Sequence, residues 1–373
     1  MIEINTQQCF GEDFGLKTIK VPKVVKKNTY IPSIDNSYVF ERDKLRSVLY
    51  YLNKSYGDAL FLQGPAGVGK TTLINQVAAR LNWPVEEVTL CNRSVITDLV
   101  GTPVVYENNM QYVYGPLTLA MLYGRILILN EIDTVSAGDL TFLNDVIEGR
   151  VLKAPDNPCL FVRPHPLFRV VFTANTKGNG DDNGFYTGTK IFNQAFIDRM
   201  RFVTFDYNTR ESERKILLMH TKSLTEKTIS LLLDFVKEVR FNTVGSNSTS
   251  EQLTSPLTTR ALVKIALYIS DYPQVSVQEA ILKFYALRFS VVECEYIMRL
   301  CSDVFGNNPY YNALDDVKTK DCNSDENDSI SSLNLDDEIK TDKDDIAFDD
   351  TKDKKETKTL KRARRKTSSK KLS

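Results

Sequence analysis

The sequence predicts an α/β protein: a mostly parallel sheet with helices on both faces, then a small all-helical unit, then a tail without stable structure. Three observations carry that expectation. Over residues 36–208, short apolar, β-rich runs alternate with stretches of helical periodicity, the pattern that builds parallel sheets. From Thr209 only helical spacing remains. From residue 313 onward the chain separates into an acidic and a basic block with few apolar side chains, too few to offset the entropy of ordering.

The elements follow in order. A chain of 373 residues favours two folded units over one. Residues 1–35 are polar and Pro-containing and read as an extended lead-in. In "ERDKLRSVLYYLNKSYG", Leu45, Leu49 and Leu52 recur at helical spacing before a Gly stop. "DALFLQ" is a short buried strand, which "GPAGVGKTT" breaks into a loop and a new helix, "LINQVAARLNW". "VEEVTL", "RILILN", "FRVVFTAN" and "FVTFDY" are the further strands. The helical unit, drawn over 209–312, contains "ESERKILLMHTKSL", "KTISLLLDFVKEVRF", "LTTRALVKIALYISD" and "SVQEAILKFYALRF".

In the tail, drawn over 313–373, residues 315–350 hold fourteen acids against four Lys, a net of −10. Residues 352–373 hold eleven Lys or Arg against two acids, a net of +9. The terminal "KRARRK" reads either as a nucleic-acid or import signal or as part of a solubilising tail that folds back on its acidic half.

Composition narrows the function classes. Apolar residues are 42% and charged residues 26%, the balance of an ordinary globular protein, with a formal net charge of zero. The longest apolar runs, such as "ALFL" and "ILIL", are too short to span a bilayer. "MIEINTQQCFGEDFG" has no basic or apolar signal region, so a cytoplasmic protein is expected. Six cysteines (9, 91, 159, 294, 301 and 322) contain no CxxC pair, and His165 and His220 are the two histidines. Idle thiols in a reducing compartment are expected, rather than disulfides or a protein-built metal centre. Cys294 and Cys301, seven apart, would share one face of a helix.

The chemistry begins at Gly64. "GPAGVGKTT", comprising Gly64, Pro65, Ala66, Gly67, Val68, Gly69, Lys70, Thr71 and Thr72, satisfies the phosphate-loop pattern G-x-x-x-x-G-K-[ST] between a strand and a helix. Glycines let backbone N–H groups turn inward around a phosphate, and the helix N-terminus adds its positive end. Lys70 supplies a charge for the β- and γ-oxygens, and the Thr71 hydroxyl a ligand for Mg2+. ATP is the expected nucleotide. Hydrolysis needs a group that activates water at the end of a neighbouring strand. "ILILNEID" supplies Glu131 there, although a residue in that place can also serve a helix N-terminus.

"FTANTKGNGDDNGFYTGTKIFNQAFIDRM" (172–200) resembles the ATPase subunit of cobaltochelatases, the CobS type, which belongs with the MoxR-like and dynein-related AAA+ ATPases. "IPSIDNSYVFERD", "INQVAARLNWPVEEVTL", "ITDLVG" and "RPHPLFR" extend the likeness over roughly residues 30 to 265. The resemblance implies a P-loop NTPase domain of AAA+ type with a helical lid. It implies Asn175 as the first sensor, facing the attacking water or γ-phosphate. Arg199 in "FIDRM" matches an arginine finger that serves the adjacent subunit's nucleotide, with Arg201 as a nearby competitor. Arg260 in "LTTRALVKIA" matches the second sensor on the lid.

It further implies a homo-oligomeric ring, expected as a hexamer, and a protein client, commonly one with a von Willebrand A domain. Metal insertion is the task of the cobaltochelatase, but no residue here argues for a tetrapyrrole. "TPVVYENNMQYVYG" reads as a hairpin projecting from a helix that begins near Ser94, and "APDNP" as the turn of a second hairpin. Tyr106, Tyr112 and Tyr114 are either substrate contacts or sheet-packing aromatics.

Asn130 is the departure from the family pattern, which normally has Asp before the glutamate. Asn keeps the size and one acceptor oxygen but loses the charge, at a place that holds a magnesium-bound water rather than the ion itself. Asp133 adds charge nearby without being expected to reach the ion. The remaining set predicts an active ATPase, slowed or magnesium-demanding. The alternatives are a nucleic-acid-acting motor, supported by the basic tail, and an ATP-dependent assembly scaffold with weak turnover, supported by Asn130.

Overall fold

The computed structural model describes residues 1–24, 29–107, 109–154, 157–180, 188–221, 223–243 and 253–306. The charged tail expected at 313–373, the end of the helical unit drawn to 312 and Pro155 and Asp156 of the "APDNP" turn lie outside these residues.

Five parallel strands make the central sheet: β1 Ala59–Gln63, β2 Val85–Thr89, β3 Ile126–Asn130, β4 Arg169–Ala174 and β5 Met200–Thr204. Their spatial order is β5-β1-β4-β3-β2. Successive side chains alternate between two cores. Leu60, Leu62, Ile126, Ile128 and Val171 enter one, while Phe61, Leu127, Leu129 and Phe172 enter the other. Cover on both faces is why these strands read as unbroken apolar runs. Because all five run the same way, Gln63, Thr89, Asn130 and Ala174 end at one edge, where ligands of open α/β sheets bind. β5 begins at Met200, ahead of the "FVTFDY" run, and so takes in Arg201.

The lead-in expected to be extended is instead folded. Ile2–Asn5 pairs antiparallel with Thr18–Val21 around a short helix, Thr6–Phe10. Phe14, Ile19 and Val21 join the core that also holds Leu45, Leu49 and Leu52 of the helix Arg42–Asn53. Burying three apolar side chains drives a pairing that the polar composition concealed.

Both expected hairpins form: Gly101–Tyr106 with Asn109–Tyr114, and Leu152–Ala154 with Asn157–Val162. The long helix expected near Ser94 does not precede the first of them. A single 3-10 turn, Ile96–Leu99, stands there, and the full helix, Pro116–Tyr123, follows the hairpin. Pro116 at the first helical position and Gly124 in the left-handed cap explain those ends.

Beyond Thr209 every regular element described is helical: Arg210–His220, Glu226–Phe241, Thr259–Asp271, Val277–Phe284 and Val291–Phe305, with a 3-10 turn at Ala286–Arg288. Each of the five helices starts at a Ser or Thr whose side chain accepts a first-turn N–H (Thr209, Thr225, Thr258, Ser276 and Ser290). Such caps each contribute about 1 kcal/mol. These helices enclose their own core around Leu232, Phe235, Ile265 and Tyr285. Cys301 lies in it and Cys294 packs against it, and burial pushes the Cys301 thiol up to about 12. No helix among the described residues is long and apolar enough to cross a membrane.

Candidate functional site

The site is assembled at the carboxyl edge of the sheet. After β1 the chain turns through Gly64, Gly67 and Gly69, all at positive φ. Two of these have steric reasons as well. A Cβ on Gly64 would run into the Phe205 carbonyl, and one on Gly67 would press on Thr258, the cap of the helix that carries Arg260. The phosphate loop is thus pinned between the end of β5 and the lid. The helix Lys70–Arg80 begins directly after it and presents its free N–H groups to the loop.

Lys70 is almost fully buried. Its ammonium donates to the carbonyls of Gly64 (2.5 Å) and Pro65 (2.9 Å) and to Asn175 Oδ1 (2.9 Å). Burial pulls its pKa down to about 8, against the opposing pull of the Glu131 and Asp133 charges. Asn175, one residue past β4, also donates through Nδ2 to Glu131 Oε2 at 2.8 Å. Burial, and next the Asp133 charge, raise the Glu131 carboxyl above the usual range. Glu131 stands at φ 57°, a left-handed conformation uncommon for this residue type, at the start of the turn Ile132–Thr134. Its side chain makes no capping bond there; it points to Asn175 instead.

Asp133 holds that turn in place. It is fully buried, and its Oδ2 accepts from the N–H groups of Asn175 (2.9 Å) and Thr176 (3.0 Å) and from the Thr176 hydroxyl (3.1 Å). Its carboxylate ties the end of β4 to the segment after β3, an anchoring task that sequence reading did not assign. Asn130 ends β3. Its Oδ1 accepts from the hydroxyls of Thr71 (2.8 Å) and Thr173 (2.9 Å).

Beside the loop, a cavity of about 360 Å³ is lined by Gly67, Gly69, Thr72, Tyr38, His220 and Arg260, among others. Arg260 is exposed and has no hydrogen-bond or ion-pair partner among the described residues, and its charge is felt at both Lys70 and Glu131. Ser37 Oγ lies 3.3 Å from His220 Nε2 and donates to Asp35. Val39, Val68, Leu73, Ile216 and Val263 give the cavity an apolar part of its lining. His220 and the Asp35–Ser37 turn escaped sequence reading. His220 reaches the site only because the first lid helix ends there.

The structure therefore joins Lys70, Thr71, Asn130, Glu131 and Asn175 at one edge, with Arg260 on the lid above the cavity. Arg199 is not joined to them. It follows the helix Gln194–Ile197 and donates through Nε to Glu148 Oε1 at 2.5 Å and through Nη1 to the Ala195 carbonyl. Arg201, its competitor, is engaged within β5: it pairs with Asp58 at 3.2 Å and stacks over Tyr51 and Tyr56. The three tyrosines divide. Tyr112 donates to the Gly101 carbonyl and packs on the core, whereas Tyr106 and Tyr114 are exposed on the first hairpin.

Residues 59–200 match the AAA domain of the dynein-related subfamily. The aerobic cobaltochelatase subunit CobS of a Sinorhizobium species is 34% identical over 227 residues, which span 60% of this chain and 67% of CobS. Gas vesicle ATPase GvpN of Ancylobacter aquaticus is 30% identical over 220 residues, 53% of this chain and 58% of GvpN. Midasin of Giardia intestinalis is 25% identical over 244 residues, 61% of this chain but 5% of midasin. The domain match across the sheet, with a relative aligned over two thirds of its length, shows that this chain belongs to the dynein-related subfamily of AAA ATPases.

Proposed function

We propose that the chain is an ATP-hydrolysing ring motor that remodels or activates a partner protein. The observation that carries this is the linked trio of Lys70, Asn175 and Glu131 at the mouth of the phosphate loop. Lys70 would hold the β- and γ-oxygens. Glu131 would orient the attacking water and take up its proton, and Asn175 would keep that carboxylate aimed. The apolar lining of the cavity suits a purine base, with His220 and Ser37 as polar groups beside it. Arg260 would reach the γ-phosphate from the lid, and Arg199 of a neighbouring copy would stabilise the charge that develops during transfer.

The donor set also fits a divalent cation. Thr71 Oγ1 gives its proton to Asn130 Oδ1, which leaves its own lone pairs for an ion held jointly with the phosphates. Magnesium, when bound, neutralises phosphate charge and polarises the transferred group. An arginine held outside its own copy's network suits service to a neighbour's nucleotide, and so a ring, proposed as a hexamer. Domain limits of 36–208 for the nucleotide-binding part and 209–312 for the lid go with this reading, as does a cytoplasmic setting.

The client is proposed as a protein engaged by the exposed hairpin residues Tyr106 and Tyr114; a partner with a von Willebrand A domain and a metal-insertion task are the specific forms to test first. Steady-state phosphate release separates motor from scaffold. Glu131→Gln is expected to lower turnover by about 10² to 10⁴ while ATP still binds; equal rates would remove the motor reading. The same variant with ATP should retain the client on the ring in a pull-down. A nucleic-acid client would instead show affinity that falls steeply with salt and is lost on deletion of 352–373.

A further inference from the structure

Glu87, on the edge strand β2, lies on the opposite side of the Asn130 amide from Thr71. Asn130 Nδ2 donates to Glu87 Oε1 at 2.9 Å, and Asn75 Nδ2 donates to Glu87 Oε2 at 2.9 Å. On its other side the same amide accepts from Thr71 and Thr173. An amide has one donor end and one accepting end, and both are matched here. The Glu87 carboxylate can only accept, which fixes Nδ2 on its side and leaves Oδ1 to the two hydroxyls, so one orientation of Asn130 satisfies all three neighbours. An aspartate at position 130 would serve the hydroxyls but set a second carboxylate within hydrogen-bond distance of Glu87, which like charges oppose.

The Glu87 charge is also uncommitted. Its neighbour Glu86 is neutralised by Arg125, whereas no cation pairs with Glu87 among the described residues. Glu87 is exposed to solvent.

We propose that Glu87 and Asn130 are a matched pair standing in for a single acid. Asn130 orients the Thr71 hydroxyl, and Glu87 supplies, one hydrogen bond further out, the negative charge that favours a divalent cation beside the nucleotide's phosphates. The inference rests on the nucleotide-binding reading above and makes Glu87 a positioning residue. It also accounts for Asn130 without loss of function: the charge has moved to the next strand.

The test is a magnesium titration of the full chain with a fluorescent ATP analogue, for the wild type, Glu87→Gln, Asn130→Asp and the double variant. Glu87→Gln is expected to raise the magnesium concentration for half-maximal binding about tenfold, with magnesium-free binding retained. Joined with Asn130→Asp, it should return to within about twofold of the wild type, because the carboxylate and the amide have exchanged places. Glu87→Gln keeps the shape of the side chain, so a packing role alone would leave the titration unmoved.

A titration unchanged by Glu87→Gln, or a double variant as defective as Glu87→Gln, overturns the pair. Wild-type binding that does not depend on magnesium also overturns the pair, whereas no binding of the analogue with or without magnesium, or Lys70→Ala binding as tightly as the wild type, overturns the nucleotide reading instead.

Discussion

Lys70 and Glu131 are both shifted by burial, and in opposite senses, toward their neutral forms. With its pKa near 8, Lys70 loses its charge as pH rises through that value. Phosphate oxygens favour the charged form, so ATP binding should weaken above about pH 8 and take up protons there. Calorimetry in buffers of differing ionisation enthalpy would show that uptake; pH-independent affinity between 7 and 9 would contradict it. Glu131 works as a carboxylate, and its raised pKa places the acid limb of turnover above the ordinary value of about 4.3. Asn175 Nδ2 stabilises the charged form, so Asn175→Ala should move that limb to still higher pH as well as slow turnover. A pH–rate profile reads both.

At the scale of elements, strands position these groups and a buried carboxylate sets the join. β1, β3 and β4 were legible because burial on both faces leaves unbroken apolar runs. The N-terminal pair of strands was not legible. Its apolar residues are few, and its pairing partners are separated by a helix of five residues, whose Asn5 and Gly11 caps are a short signal, and a loop. Asp133 illustrates the same limit. Its neighbourhood in sequence gives it charge near the ion but no task, and the fold turns it inward, onto the N–H groups of Asn175 and Thr176. Asp133→Ala would orphan those donors at a cost of about 3 kcal/mol in all. It should lower the midpoint of urea unfolding and reduce turnover, since Asn175 loses its anchor. A drop in turnover with unchanged stability would contradict the anchoring role.

For the whole molecule, the proposed active site is divided between copies. Glu131 and Lys70 are linked through Asn175, while Arg199 is held by Glu148 outside that network. Arg199→Ala alone should lower turnover about 10³-fold or more, as loss of a finger does in related chemistry. Glu131→Gln alone also fails, yet mixing the two variants should recover activity above either one. Of the two kinds of mixed interface, one then pairs an intact acid with an intact arginine, while the other lacks both. No recovery on mixing, in material shown by light scattering to assemble with ATP, would contradict the shared site.

Likeness to the family pointed to Asn175 and Arg260, while the sequence by itself determined the phosphate loop, the five strands, four of the five lid helices and the place of Glu131 after an apolar strand. Those features are local: each is set by spacing within one element or by turn chemistry next to it. The tertiary structure decided which of two arginines is spent on Asp58, that Asp133 faces inward, and that Glu87 meets Asn130 across forty-three positions of chain. Such meetings depend on the register of parallel strands, and a strand's own residues do not encode which neighbour they will face.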